Sequence, residues 1–254
     1  MPLPASKPTS WDTKAVPNYR DEAVVLRTHK LGEVDRILTL LTRNHGQVRA
    51  VAKGVRKTSS RFGGRLEPFT VVDLQLYEGK NLDTVSQVDQ LASYGRDIIA
   101  NFPSYTAASA IVEAAERLTR EESSEKHYLL VIGALRALSK GEQGSDVILD
   151  SFLLRMLAIS GWVPALDACS SCGSEPESFS VHTGSVHCPS CPGAGSVKLG
   201  QGGLEHMKAL LAGDWPAVAA SAKPTKDNVS GVIAAYMQWQ LERGLKSLSF
   251  VERT

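Results

Sequence analysis

The chain has 254 residues, of which 43% are hydrophobic and 22% charged, and its formal net charge is +1. That length is long for one core and comfortable for two domains, and no apolar run approaches the roughly 18 residues of a membrane-spanning helix. Low-complexity tracts are absent, so a largely disordered chain is excluded as well.

The near-zero net charge hides an asymmetry. Residues 1–95 carry 14 basic and 10 acidic side chains, whereas residues 96–254 carry 14 basic and 17 acidic ones. A polyanion is therefore expected to meet the first part of the chain.

Residues 1–18 contain Pro2, Pro4, Pro8 and Pro17 and read as a flexible extension around Trp11. They hold no apolar core of a secretory signal, so the chain is expected to stay in a reducing cytosol. Five short apolar or alternating runs follow: 23–27, 36–43, 47–54, 68–79 and 82–91. Asn44, His45 and Gly46 form a tight turn before the third run, and a turn around Gly79 separates the last two. Strand alternation puts Val48, Ala50 and Ala52 on one face and Arg49, Val51 and Lys53 on the other. In the fourth run Val72, Leu74 and Leu76 point inward, leaving Tyr77 outward, where it either stacks a base or covers an edge. Five strands with one enlarged cationic connection predict a small oligonucleotide-binding (OB-fold) barrel over 19–95.

The positive charge is concentrated within that region. Arg43, Arg49, Lys53, Arg56, Lys57, Arg61 and Arg65 lie within 23 residues containing no Asp or Glu. Such density suits a phosphate-binding surface better than a solvated loop, because it sits in a strand setting rather than a tail. Phe62, between Arg61 and Arg65, is either a base-stacking ring or a plug for one end of the barrel, with the plug favoured.

From about residue 96 the apolar period becomes helical. One helix carries Ala107, Ile111, Ala115 and Leu118, with Pro103 near its start; a second carries Leu129, Ile132, Leu135 and Leu138. A third begins near Ser145 or Asp146 and ends by Gly161, a short fourth stops at Gly213, and a fifth spans Val229 to Leu241. Between the third and fourth lie Cys169, Cys172, Cys188 and Cys191, two Cys-x-x-Cys pairs separated by fifteen residues. That spacing predicts a closed, structural four-thiolate Zn2+ site with no position left for water or substrate. Disulfides disagree with the expected compartment, and a redox dithiol leaves one pair without a role. His182 and His187 read as two loop histidines beside the site. From 168 to 200 Lys198 is the one basic residue, so the segment is expected to brace the helices rather than bind DNA. Phosphate-loop, HExxH and GxSxG motifs are missing, and no enzyme activity is expected.

GEVDRILTLLT, HGQVRAVAKGVRK and RFGGRLEPF, in that order, resemble the RecO family of bacterial recombination mediators, and the likeness spans about residues 19 to 253. The resemblance implies an α+β chain with an N-terminal OB-fold, a helical domain at 96–254 and a zinc-binding segment at 168–195. It also implies a cytoplasmic protein that binds single- and double-stranded DNA and anneals complementary strands. Such proteins act with RecR and help RecA replace single-strand-binding protein (SSB). Carried over by position, the seven basic residues are the DNA-binding candidates and the four cysteines the metal ligands. SSB's acidic tail is bound by the helical domain of many members, but no local motif here marks that pocket. Without appeal to family, an RNA-binding factor in translation or tRNA processing fits the same features, since OB barrels and zinc ribbons serve both.

Overall fold

A computed structural model describes residues 18–120, 123–242 and 244–251. The proline-rich extension with Trp11, up to residue 17, lies outside the described residues. β1 (Asn18–Leu31), β2 (Asp35–Thr42), β3 (Gln47–Ala52), β4 (Thr70–Tyr77) and β5 (Asp83–Ser93) form one sheet. The strand order is β1-β2-β3-β5-β4, and β4 pairs back onto β1, so the sheet closes on itself. All pairings are antiparallel except β3 with β5.

Alternation explains the closure. Val25, Leu38, Leu40, Ala50, Ala52, Val72, Leu74 and Leu76 fill the inside of the sheet, as the two-residue period of a half-buried strand requires. β1 runs well beyond the predicted 23–27, with an irregularity between Val25 and Arg27. The bulge changes which face later residues present. On the outer face, Val24, Leu26, Leu41, Phe69 and Val71 join the core of the helical part. One side of the closed sheet is thus buried against helices, and the basic side is left to solvent.

The remainder is helical: α1 (Gly95–Ile99), α2 (Phe102–Leu118), α3 (Glu125–Lys140), α4 (Ser145–Ile159), α5 (Gly200–Ala212), α6 (Trp215–Ala220) and α7 (Lys223–Gln240), then a 3-10 turn (Ser247–Phe250). α2 starts where Asn101 Oδ1 accepts from Ser104 N at 2.9 Å, with Pro103 in the first turn. α5 stops at Gly213, which takes a left-handed conformation (φ 75°) open to glycine at little cost. Between α4 and α5 come β6 (Ser178–Ser180), β7 (Ser185–His187) and β8 (Ser196–Lys198), a small sheet ordered β7-β6-β8. Among the described residues, no helix is long and apolar enough to cross a membrane.

Candidate nucleic-acid interface and metal centre

The seven basic residues singled out by the sequence occupy three settings. Arg49 on β3 and Lys53 just beyond it face outward, since Val48, Ala50 and Ala52 pack inward. Both are exposed, as is Lys57, and none has a side-chain partner among the described residues. Their charge is therefore available to a ligand.

Arg56, Arg61 and Arg65 are exposed but also shape the 53–69 connection. Arg56 Nη1 donates to Glu33 O at 2.8 Å and pins the connection to the β1–β2 turn. Arg65 Nη1 donates to Val88 O at 3.1 Å, on β5. Arg61 lays its guanidinium 4.8 Å from the centroid of the Phe62 ring. Phe62 itself is 1% exposed and belongs to the inner core, so it plugs the sheet and offers no face to a base. An arginine carries five N–H donors, so one bond to a carbonyl leaves phosphate-binding capacity.

Arg43 stands apart, because the fold commits it to the seam between sheet and helices. Its Nε donates to Glu125 Oε1 of α3 at 2.8 Å, and its Nη1 lies 3.3 Å from Glu22 Oε2 of β1. The Tyr128 hydroxyl donates to the same Glu22 oxygen at 3.2 Å. Burial and the Glu22 carboxylate hold that hydroxyl far above its ordinary pKa, which keeps it a donor. Arg27 crosses the same seam, 2.6 Å from Glu116. Local sequence gives Arg43 and Arg49 the same character; the helices decide which one is neutralised.

One cation and a neighbouring histidine escaped the sequence reading. β1 continues to Leu31, so His29 comes into register with Ile37, which pairs with Val51, and Lys30 with Arg36. His29 and Lys30 are exposed, and Lys30 extends the basic side of the sheet. The signal for this longer strand was the turn at Gly32, whose φ of 57° marks where the chain reverses. Tyr77 is 42% exposed at the end of β4.

The β2–β3 turn is anchored by a buried carboxylate. Asp21 accepts from Asn44 N (3.0 Å), Asn44 Nδ2 (2.8 Å) and His45 N (3.2 Å), and its Oδ2 lies 2.6 Å from His45 Nδ1. Burial pushes this carboxyl up, but the bonds from His45 and Asn44 outweigh it and hold it below the usual range. A group with a lowered folded pKa adds stability above its unfolded value, near 3.9; that stability is lost as pH falls through the folded value. The melting temperature is therefore expected to fall below about pH 4, and Asp21→Asn should flatten that part of the profile while lowering stability at neutral pH. Thermal melts of both proteins across this range check it; parallel profiles would assign the acid sensitivity elsewhere.

The four cysteines converge, with all their sulfurs within 4.8 Å of one another. Two knuckles present them. In the first, Gly173 N donates to Cys169 O at 2.8 Å and Cys169 N to Ser174 O at 2.9 Å, with Gly173 at φ 76°. In the second, Cys191 N donates to Cys188 O at 3.1 Å. Backbone N–H groups of Cys188 and Ser171 draw the Cys169 thiol down to about 6. Hydrogen bonds with Cys172 and Cys188 push Cys191 up to about 12. So many sulfurs this close cannot all ionise without a cation between them, and that donor set fits a metal ion. His187 is not a loop residue as the sequence suggested: it is buried in β7, and its ring packs where a side chain at Gly193 would stand. Neither His187 nor His182 joins the sulfur cluster; His182 stacks on Trp239 of α7 at 4.0 Å.

Residues 16–94 match the family model described as Recombination protein O N terminal, and residues 100–249 match Recombination protein O C terminal. The chain belongs to the RecO family. A relative described as DNA repair protein RecO, from Thermobifida fusca (strain YX), is 50% identical over 239 residues, covering 92% of this chain and 98% of the relative. The two RecO matches meet between 94 and 100, where β5 passes into α1, and the second contains the whole sulfur cluster.

Proposed function

We propose that this RecO-family chain is a DNA repair and recombination mediator that binds single- and double-stranded DNA and anneals complementary strands without covalent chemistry. The observation that carries the reading is the set of exposed cations Arg49, Lys53 and Lys57, without partners among the described residues, on the open side of a closed five-stranded sheet. On this reading the sheet is an OB-fold barrel, residues 19–95 are the DNA-binding unit, and 96–254 form a helical platform. Arg56, Arg61 and Arg65 contribute their remaining donors to phosphates, whereas Arg43 serves the seam. On this reading the ion is Zn2+, which a closed set of four thiolates suits, and its role is structural. RecR and SSB-coated DNA awaiting RecA are the partners, in the bacterial cytosol.

The mechanism is electrostatic. Two complementary strands repel each other before they pair. A cationic face that neutralises phosphates and holds one strand loosely lowers that barrier. With about five phosphates contacted, the log–log salt slope for a single strand is about −3.5.

Annealing of two labelled complementary DNA strands, followed without nucleotide across a salt series, tests the reading. Salt-sensitive acceleration is the expected result. Binding without acceleration would reduce the protein to a plain DNA binder, and a preference for structured RNA would favour an RNA-binding factor instead.

A further inference from the structure

A groove of about 890 Å³ opens where the closed sheet meets α1, α2 and the C-terminal 3-10 turn. Its rim carries Ile99, Phe102, Tyr105 and Phe250, exposed by 64%, 58%, 43% and 67%. Large apolar side chains gathered and exposed to this degree mark a binding surface. The volume lies within the range of small-ligand clefts.

Its charges favour an anion. Glu113 is already satisfied by Lys246 N (3.0 Å), Ser247 N (2.8 Å) and Arg117 Nη2 (2.8 Å), and Glu67 pairs with Arg36 at 2.6 Å. Arg96 and the Lys246 ammonium are exposed and have no partner among the described residues. Gly64 lines both this groove and an adjoining cleft formed with Arg65, Arg96 and Asp97. With Asp97 included, the uncompensated charge over the two clefts is positive. The basic connection therefore leads directly into the groove.

The floor is built with strain. Phe69 has φ 67°, a left-handed conformation that costs a non-glycine residue free energy and persists where surroundings enforce it. Its N–H donates to Val25 O at 3.1 Å, and its carbonyl accepts from Tyr94 N at 3.2 Å. The Phe69 ring meets Tyr105 edge-on, centroids 6.3 Å apart, which steadies the Tyr105 ring at the rim. Thr28, Ser93 and Ser109 add hydroxyls to the lining. Separated rings, hydroxyls and flanking cations suit nucleotides, which offer a stacking face, polar edges and a phosphate on one unit. An amphipathic helix would instead want a groove apolar along its length, without the flanking cations and hydroxyls found here.

We propose that this groove is a second contact for an unpaired nucleic-acid strand, taking bases splayed from the strand that crosses the basic connection. The inference rests on the DNA-binding reading above and adds a site on the seam. Its consequence is a grip whose stacking part fixes a few bases while the phosphate part leaves the rest of the strand free to pair.

Two fluorescent oligothymidylates test it, one of about 8 nucleotides to occupy the sheet and one of about 30 to reach the groove as well. Phe102→Ala combined with Phe250→Ala removes two exposed rings and should leave the melting temperature unchanged. The double variant is expected to bind the long probe about tenfold more weakly and the short probe as before. A long strand carrying 5-iodouracil should cross-link to Phe102, Tyr105 or Phe250 in the unaltered protein. Unchanged long-probe affinity with cross-links confined to β1–β3 would overturn the groove and leave the DNA-binding reading intact. Failure of the unaltered protein to bind either probe would overturn that reading and the groove with it. Loss of binding only to an acidic apolar peptide would reassign the groove to a protein partner and so overturn the proposal.

Discussion

Stripping the metal with a chelator is expected to lower the melting temperature by about 10 °C or more while leaving single-strand affinity at 25 °C within about twofold of the intact protein. The size follows from what the sulfurs hold in place. β6, β7 and β8 are three residues each, too short to persist as a free sheet. Yet they carry Phe179 and Val186 into the helical core. Phe179 meets the Tyr236 ring of α7 edge-on at 5.3 Å, and the Tyr236 hydroxyl donates to Trp162 O at 3.3 Å, just after α4. Ala165 bridges to Ser185, with Ala165 N donating to Gly184 O at 2.8 Å. Releasing the cation leaves crowded thiols that repel as they ionise, and this contact between α4 and α7 loosens with them. A structural tetrathiolate site contributes several kcal/mol or more, and each kcal/mol is about 2–4 °C for a chain of this size. Cys169→Ser should reproduce the effect without chelator. Loss of DNA affinity with an unchanged melt would sink the bracing role and move the segment into the DNA interface.

How much of this was legible follows from where each signal lives. The five sheet strands and the five longer helices announce themselves by period, because each buries one face over many residues. Val72, Leu74 and Leu76 in β4 are the clearest case, all inward and fully buried. α1, α6 and β6 to β8 were not legible: helices of five or six residues and strands of three complete fewer than two repeats of their period. The metal centre was readable because cysteine spacing states the chemistry directly. The basic surface was readable only as a list. Nothing near Arg43 in the sequence says that Glu125, 82 residues later, will lie beside it. Nor does anything near Phe102 say that Phe250 will line the same groove. Which cation is free, and which ring is exposed, is set by how the sheet docks on the helices.

That distinction yields the sharper mutational test of the proposed DNA interface. Arg49→Glu with Lys53→Glu is expected to weaken single-strand binding by about tenfold or more at about 0.1 M salt, and to make the log–log salt slope shallower by about 1.4. Both residues are exposed, on one face and without partners among the described residues, so their reversal alters the field over the sheet and little else. Annealing should slow in parallel. Arg56→Glu is a poorer probe, since it also frees the Glu33 carbonyl and loosens the connection. Arg43→Ala is the informative control. Its two ion pairs are partly exposed, so stability should drop only slightly, and DNA affinity and salt slope should barely move. If Arg43→Ala instead flattened the slope as strongly as the double reversal, the seam pairs would have to open when DNA binds. The sheet and helices would then form a clamp in which Glu22 and Glu125 compete with phosphate for the same guanidinium.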